Sequence, residues 1–92
     1  MIPASAYKNP HHVMLFFEKN EINVTDTCMD QRVNYYENLK NDGKVVLSGD
    51  FWNQPRNFVI VHVTSDTELE QIINNDPAIR ENVLELVRAM PF

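Results

Sequence analysis

The chain has 92 residues, of which 43% are hydrophobic and 10% aromatic, a composition that suits one folded globular domain and excludes a disordered segment. Its formal net charge is -5, from 13 acidic and 8 basic side chains, and no basic cluster stands out; neither nucleic acid nor an anionic membrane is expected as a partner. A single cysteine, Cys28, excludes an intramolecular disulfide, and the chain shows neither a basic-then-apolar leader nor an apolar run long enough to span a bilayer, so the expected setting is cytoplasmic.

The first ten residues hold two prolines and little periodicity, and read as an irregular lead-in. The run Val13–Phe17 is short and aromatic, which favours a strand over a helix. Both of its faces, Val13/Leu15/Phe17 and Met14/Phe16, are apolar, as in a strand buried on both sides. "TDTCMDQRVNYYENLKNDG" predicts a helix, capped by Thr25 or Asp26 and ended by Gly43. Met29, Val33, Tyr36 and Leu39 recur at spacings of four, three and three and form its apolar stripe, with Arg32 beside them. The sequon Asn23-Val24-Thr25 is not expected to meet a glycosylation enzyme in a cytoplasmic chain.

"KVVLSGDF" predicts a second strand from Val45 to about Phe51, "WNQPRN" a turn, and "FVIVHV" a third strand from Phe58 to Val63. The six-residue link favours an antiparallel pair. "SDTELEQIINN" reads as a second helix, with Ser65 and Glu68 matching the S-x-x-E capping box. Pro77 disfavours helical geometry at Asp76, so the helix stops there. "ENVLELVRAM" is the fourth strand. The order βαββαβ folds into an α+β, ferredoxin-like sandwich with two helices on one face of an antiparallel sheet. Two helices cover one face only, whereas the first strand is apolar on both faces and the third sets Phe58 and Ile60 opposite Val59, Val61 and Val63; the uncovered apolar face implies a homodimer packed sheet to sheet.

This layout and several local strings resemble the YciI-like (YCII-related) family. The strings are the helix–glycine–strand passage "NLKNDG" into "KVVLSGDF", the capped helix and Asp-Pro ending in "HVTSDTELEQIINNDP", and the closing strand into Pro91-Phe92. Each string is weak alone; their order carries the resemblance over about residues 12–92. It implies a single YciI-like domain across residues 1–92, with 1–11 as the lead-in, and a dimeric α+β barrel fold akin to muconolactone isomerases. It also implies a site built on a His–Asp pair, in a family whose members mostly lack an assigned reaction. The Asp position is Asp76. The His position, eleven residues before Gly43, holds Arg32; Asp50 stands where the family tends to have Pro.

Histidine beside a carboxylate trades protons near neutral pH, whereas arginine does not. Three readings stay open: a structural Arg32–Asp76 ion pair, an Arg32 fork offered to a small carboxylate or phosphate with Asp76 orienting it, or catalysis by Asp76 without the histidine. At the level of the whole protein the alternatives are a small-anion binding protein with reduced catalysis, a lyase- or isomerase-type enzyme using Asp76 on a small acidic substrate, and a plain dimerisation module. Tyr36, Ser48, Gly49, Trp52 and His62 complete the candidate ligand-binding set, although alternation puts His62 on the expected dimer face. No cofactor is expected. Neither is a metal, because adjacent strand residues such as His11 and His12 point to opposite faces. Cys28 reads as a small apolar filler.

Overall fold

The computed structural model describes residues 11–20, 26–52 and 55–92, with side chains from residue 12 and, in the first helix, from residue 28. The irregular lead-in expected over 1–10, the sequon and Thr25 lie outside these residues, and so does the Asp26 side chain that would cap the first helix. The elements are β1 (His11–Lys19), α1 (Asp26–Asn41), β2 (Val45–Asp50), β3 (Arg56–Val63), α2 (Asp66–Asn74), α3 (Pro77–Arg80) and β4 (Leu84–Pro91). The strands form one antiparallel sheet in the order β2-β3-β1-β4. This is the α+β ferredoxin-like arrangement, with the two strands richest in β-branched and aromatic residues at its centre.

Alternation assigns the faces. Val13, Leu15 and Phe17 of β1 and Val59, Val61 and Val63 of β3 are buried beneath the helices. Cys28 and Tyr36 of α1, Leu69 and Ile72 of α2, and Ala78 of α3 close over them. Burying a large apolar side chain of this kind contributes about 1.5–3 kcal/mol, so this layer supplies most of the cohesion of so small a domain. α1 ends as its glycine demands. Gly43 adopts φ +78, its N–H donates to the Lys40 carbonyl at 3.0 Å, and the Lys44 N–H donates to the Leu39 carbonyl at 2.9 Å. At the start of α2, the Glu68 N–H donates to Ser65 Oγ at 3.1 Å. The returning Glu68 carboxylate takes the Thr64 N–H at 3.3 Å rather than that of Ser65, and its other oxygen holds Lys44 at 3.0 Å.

Two expectations change. Val33 is 67% exposed and does not belong to the buried stripe. That stripe runs through Cys28, Arg32 and Tyr36, one turn apart, with Arg32 buried at its centre because α3 brings a carboxylate to meet it. Between the Asp-Pro and β4 the chain also makes the short helix α3, which periodicity did not announce. Asn82 at φ 58 ends it, the Asn82 N–H donating to the Ile79 carbonyl and the Val83 N–H to the Ala78 carbonyl, the same cap that Gly43 gives α1.

The other face of the sheet has no helix. Leu47, Ile60, Met14 and Met90 pair in one row across all four strands, and Leu47 and Met90 are exposed. Phe16 and Phe58 pair in the next row, with the Phe51 ring 5.9 and 5.6 Å from theirs. A Cβ on Gly49 would meet the Phe58 ring at 2.9 Å, so glycine lets that ring lie across β2. Among the described residues no helix is long and apolar enough to cross a membrane.

Candidate functional site

Asp76 is the N-cap of α3. Pro77 follows at the first helical position, where a missing N–H costs nothing, and Asp76 Oδ1 accepts the Ala78 N–H at 2.8 Å. The carboxylate is fully buried. Its other oxygen, Oδ2, accepts Arg32 Nε at 2.9 Å and the Tyr36 hydroxyl at 2.7 Å, both reaching over from α1. Cys28 Sγ, one turn before Arg32, contacts the Pro77 carbonyl at 3.2 Å and ties the start of α1 to α3. The thiol is therefore more than the apolar filler that its position suggests.

The Arg32 guanidinium lies between two rings, 4.7 Å from the Phe17 centroid and 4.9 Å from that of Tyr36. Such placement favours a cation in a site that excludes water. Tyr35 sets the Tyr36 ring from the side in an edge-on contact at 4.9 Å, and its own hydroxyl donates to the Ile72 carbonyl at 2.6 Å. Burial pushes the Tyr36 hydroxyl far above its ordinary value of 10, and the charge of Asp76 pushes in the same direction. For the same two causes, in the same order, Tyr35 is raised to about 12.

These shifts set an alkaline limit. A phenol whose folded value lies above its unfolded value contributes stability that is complete below pH ~10 and disappears as pH rises through the folded value. The urea midpoint is therefore expected to fall between pH ~10 and 12, and to fall less steeply in Tyr35→Phe. Equal slopes in the two proteins would show that Tyr35 does not couple ionisation to folding.

α1 and the β2–β3 edge enclose a cleft of about 420 Å³, bounded by Met29, Arg32 and Tyr36 on one side and by Ser48, Asn57 and Val59 on the other. Gly49 and Phe58 also line it, and Asp30, Glu37, Lys40 and Asp50 supply the charges around it. Of the residues named from the sequence, the structure therefore brings Arg32, Tyr36, Ser48 and Gly49 to one cleft, with Asp76 immediately behind Arg32. It does not bring Trp52 or His62. Trp52 is 90% exposed after β2 and outside the cleft lining. His62 projects from the opposite face of the sheet, stacked on His12 at 5.1 Å, because alternation along β3 sends Val61 and Val63 inward and His62 outward.

Asn57 went unnoticed in the sequence. It occupies an inward position in the series 57, 59, 61, 63, and a polar residue in that series is the signal that identifies it. Two side-chain atoms of the cleft are buried without a hydrogen-bond partner, Arg32 Nη2 and Asn57 Oδ1. Each is costly to leave unmade. Among the described residues no group of three His, Cys, Asp or Glu side chains is placed to hold a metal ion.

The model of the YCII-related domain matches residues 5–92. Among solved structures, the chain is similar to the 5-chloro-2-hydroxyhydroquinone dehydrochlorinase TftG from Burkholderia phenoliruptrix AC1100, in complex with 2,5-dihydroxybenzoquinone. The identity is 14% and the TM-score 0.57, over 87% of this chain and 90% of the other. It is also similar to MupZ from Pseudomonas fluorescens, at 13% identity and a TM-score of 0.52, over 88% of this chain and 69% of the other. At these identities the likeness establishes the fold. No curated protein matches the chain.

Proposed function

Because the chain belongs to the YCII-related family, we propose that it works as a ligand-binding member of that family, a homodimer that holds a small organic anion in the cleft beside Arg32. The observation that carries this reading is the unpartnered Arg32 Nη2. Asp76 occupies Nε, the rings of Phe17 and Tyr36 hold the guanidinium plane, and the remaining arm is left for a ligand oxygen. A cleft of this volume lies in the usual range for small-molecule sites, about 300–1,000 Å³.

The surrounding charges refine the class of anion. Asp76 already neutralises Arg32, and the cleft carries Asp30, Glu37 and Asp50 against Lys40. These surroundings repel a phosphate dianion about twice as strongly as a compound with one negative charge, so the single charge is favoured. The neighbour's dihydroxybenzoquinone is also a small oxygenated ring compound, and rings of that size suit the apolar walls offered by Met29, Tyr36 and Val59.

Asp76 does not act as the base in this reading. Its oxygens already accept three hydrogen bonds in full burial, and its partner is a guanidinium that cannot exchange a proton. Its role is to hold Arg32 in place. The second half of the proposal rests on the bare apolar face, whose rows of Met14, Ile60, Leu47 and Met90 suit a copy of the same face. A cytoplasmic setting belongs to the same reading, since the chain's single cysteine, Cys28, is buried and can close no disulfide within the chain.

Thermal shift with benzoate, acetate and inorganic phosphate tests the ligand reading. Benzoate is expected to raise the melting temperature, phosphate is not, and Arg32→Lys is expected to weaken benzoate at least about tenfold, because a compact ammonium lacks the planar fork that spans from Asp76 to the ligand. No shift with any carboxylate, or an equal shift in the Arg32→Lys protein, overturns it.

A further inference from the structure

The cleft has a second recognition point. Phe17, Asn57 and Asp50 are direct cross-strand partners in a single row over β1, β3 and β2, and the row faces α1. The Arg32 guanidinium stands on the first member of that row, 4.7 Å above the Phe17 ring. Side chains directly opposite on neighbouring strands have Cβ atoms roughly 4.5–5.5 Å apart. Arg32 and Asn57 both line the cleft, and the buried donor Arg32 Nη2 and the buried acceptor Asn57 Oδ1 each lack a partner.

A donor and an acceptor left unmade on two residues of one cleft describe the ligand that would satisfy both. It presents an acceptor to Nη2 and, close by, a donor to Oδ1. Asp50, the exposed last member of the row, adds a third condition. It sits at the cleft with its negative charge, so the donor is not a second ionised acid group. We infer that the cleft recognises hydroxy acids, compounds in which one carboxylate binds Arg32 and a neutral hydroxyl nearby donates to Asn57. This rests on the anion reading of Arg32 and extends it to the substrate class. A site that hydrogen-bonds a ligand hydroxyl also rejects the analogue lacking it, since Asn57 is then left unpaired. Asn57 is thus the specificity-determining residue, and Arg32 supplies the affinity common to all acids.

Calorimetric titration of the whole protein with benzoate, the three hydroxybenzoate isomers and the matching methoxybenzoates tests this. The isomer whose hydroxyl reaches Asn57 is expected to bind at least about tenfold more tightly than benzoate. Its methoxy counterpart, which accepts but cannot donate, loses that gain. Asn57→Val is expected to erase the preference, so that the hydroxybenzoate and benzoate bind it within about twofold of each other; Asn57→Ala takes its place where the valine variant does not fold, and the hydroxy-to-methoxy comparison in the unaltered protein needs no variant. Equal binding of benzoate and every hydroxybenzoate overturns the role of Asn57 and leaves the Arg32 reading standing. A hydroxyl preference that survives replacement of Asn57 overturns it too. Binding of none of the acids overturns both.

Discussion

Asp76→Ala is expected to lower folding stability by about 3–5 kcal/mol, in a domain class whose whole stability is about 5–15 kcal/mol. Three losses coincide. Arg32 remains buried with no counter-charge, the Tyr36 hydroxyl loses its acceptor, and the Ala78 N–H loses its cap. The first dominates, because the stranded cation is buried against the Phe17 and Tyr36 rings with little access to water; the cap alone accounts for about 1 kcal/mol. Asp76→Asn separates them. An asparagine still caps α3 but carries no charge, so it should recover only the smaller part. Arg32→Ala added to Asp76→Ala is expected to cost little more than Asp76→Ala alone, and to be milder than the sum of the two single changes, because the charge left stranded by either one is removed. Urea unfolding of the four proteins measures this cycle. A loss below about 1 kcal/mol for Asp76→Ala, or simple additivity, would mean that the pair does not hold α1 to α3.

The second large effect lies on the other side of the sheet. Wild-type protein is expected to sediment as a dimer at micromolar concentration, and Ile60→Asp as a monomer, its dissociation constant raised on the order of a thousandfold or more. Ile60 pairs with Met14 on one side and Leu47 on the other, in the middle of the uncovered apolar row. In a sheet-to-sheet dimer a carboxylate there would be buried against the partner's apolar side chains, and desolvating it without a counter-charge outweighs what the remaining contacts contribute. In the separated monomer the same position is only half-buried, so the variant should still fold. The melting temperature should then lose its dependence on protein concentration. A wild-type protein that sediments as a monomer at micromolar concentration would sink the dimer.

Much of the architecture is written in local pattern. The period-two alternation of β3, the β-branched and aromatic content of β1, the glycine after α1 and the Ser65–Glu68 cap each act over a few residues, so each can be read without knowing the fold. Where prediction and structure part, a long-range contact has intervened. Val33 fits the apolar spacing of α1, yet Arg32 is the residue buried, because Asp76 lies 44 positions away in sequence and 2.9 Å away in space. The helix α3 was missed because a four-residue turn has no period to detect; its stability comes from the Asp76 cap and the Asn82 ending.

The site divides along the same line. By itself the sequence determined that α2 stops before Pro77 with a carboxylate beside the proline, and that apolar residues populate both faces of the central strands. Those are properties of residue type and spacing. Only the tertiary structure decided that Arg32, Tyr36 and Asp76 form one buried network, that Asn57 shares the cleft, and that His62 and Trp52 do not. A side chain's electrostatic role depends on what is packed against it and whether water is excluded. These conditions are set by contacts between elements distant in sequence, and no local pattern records them.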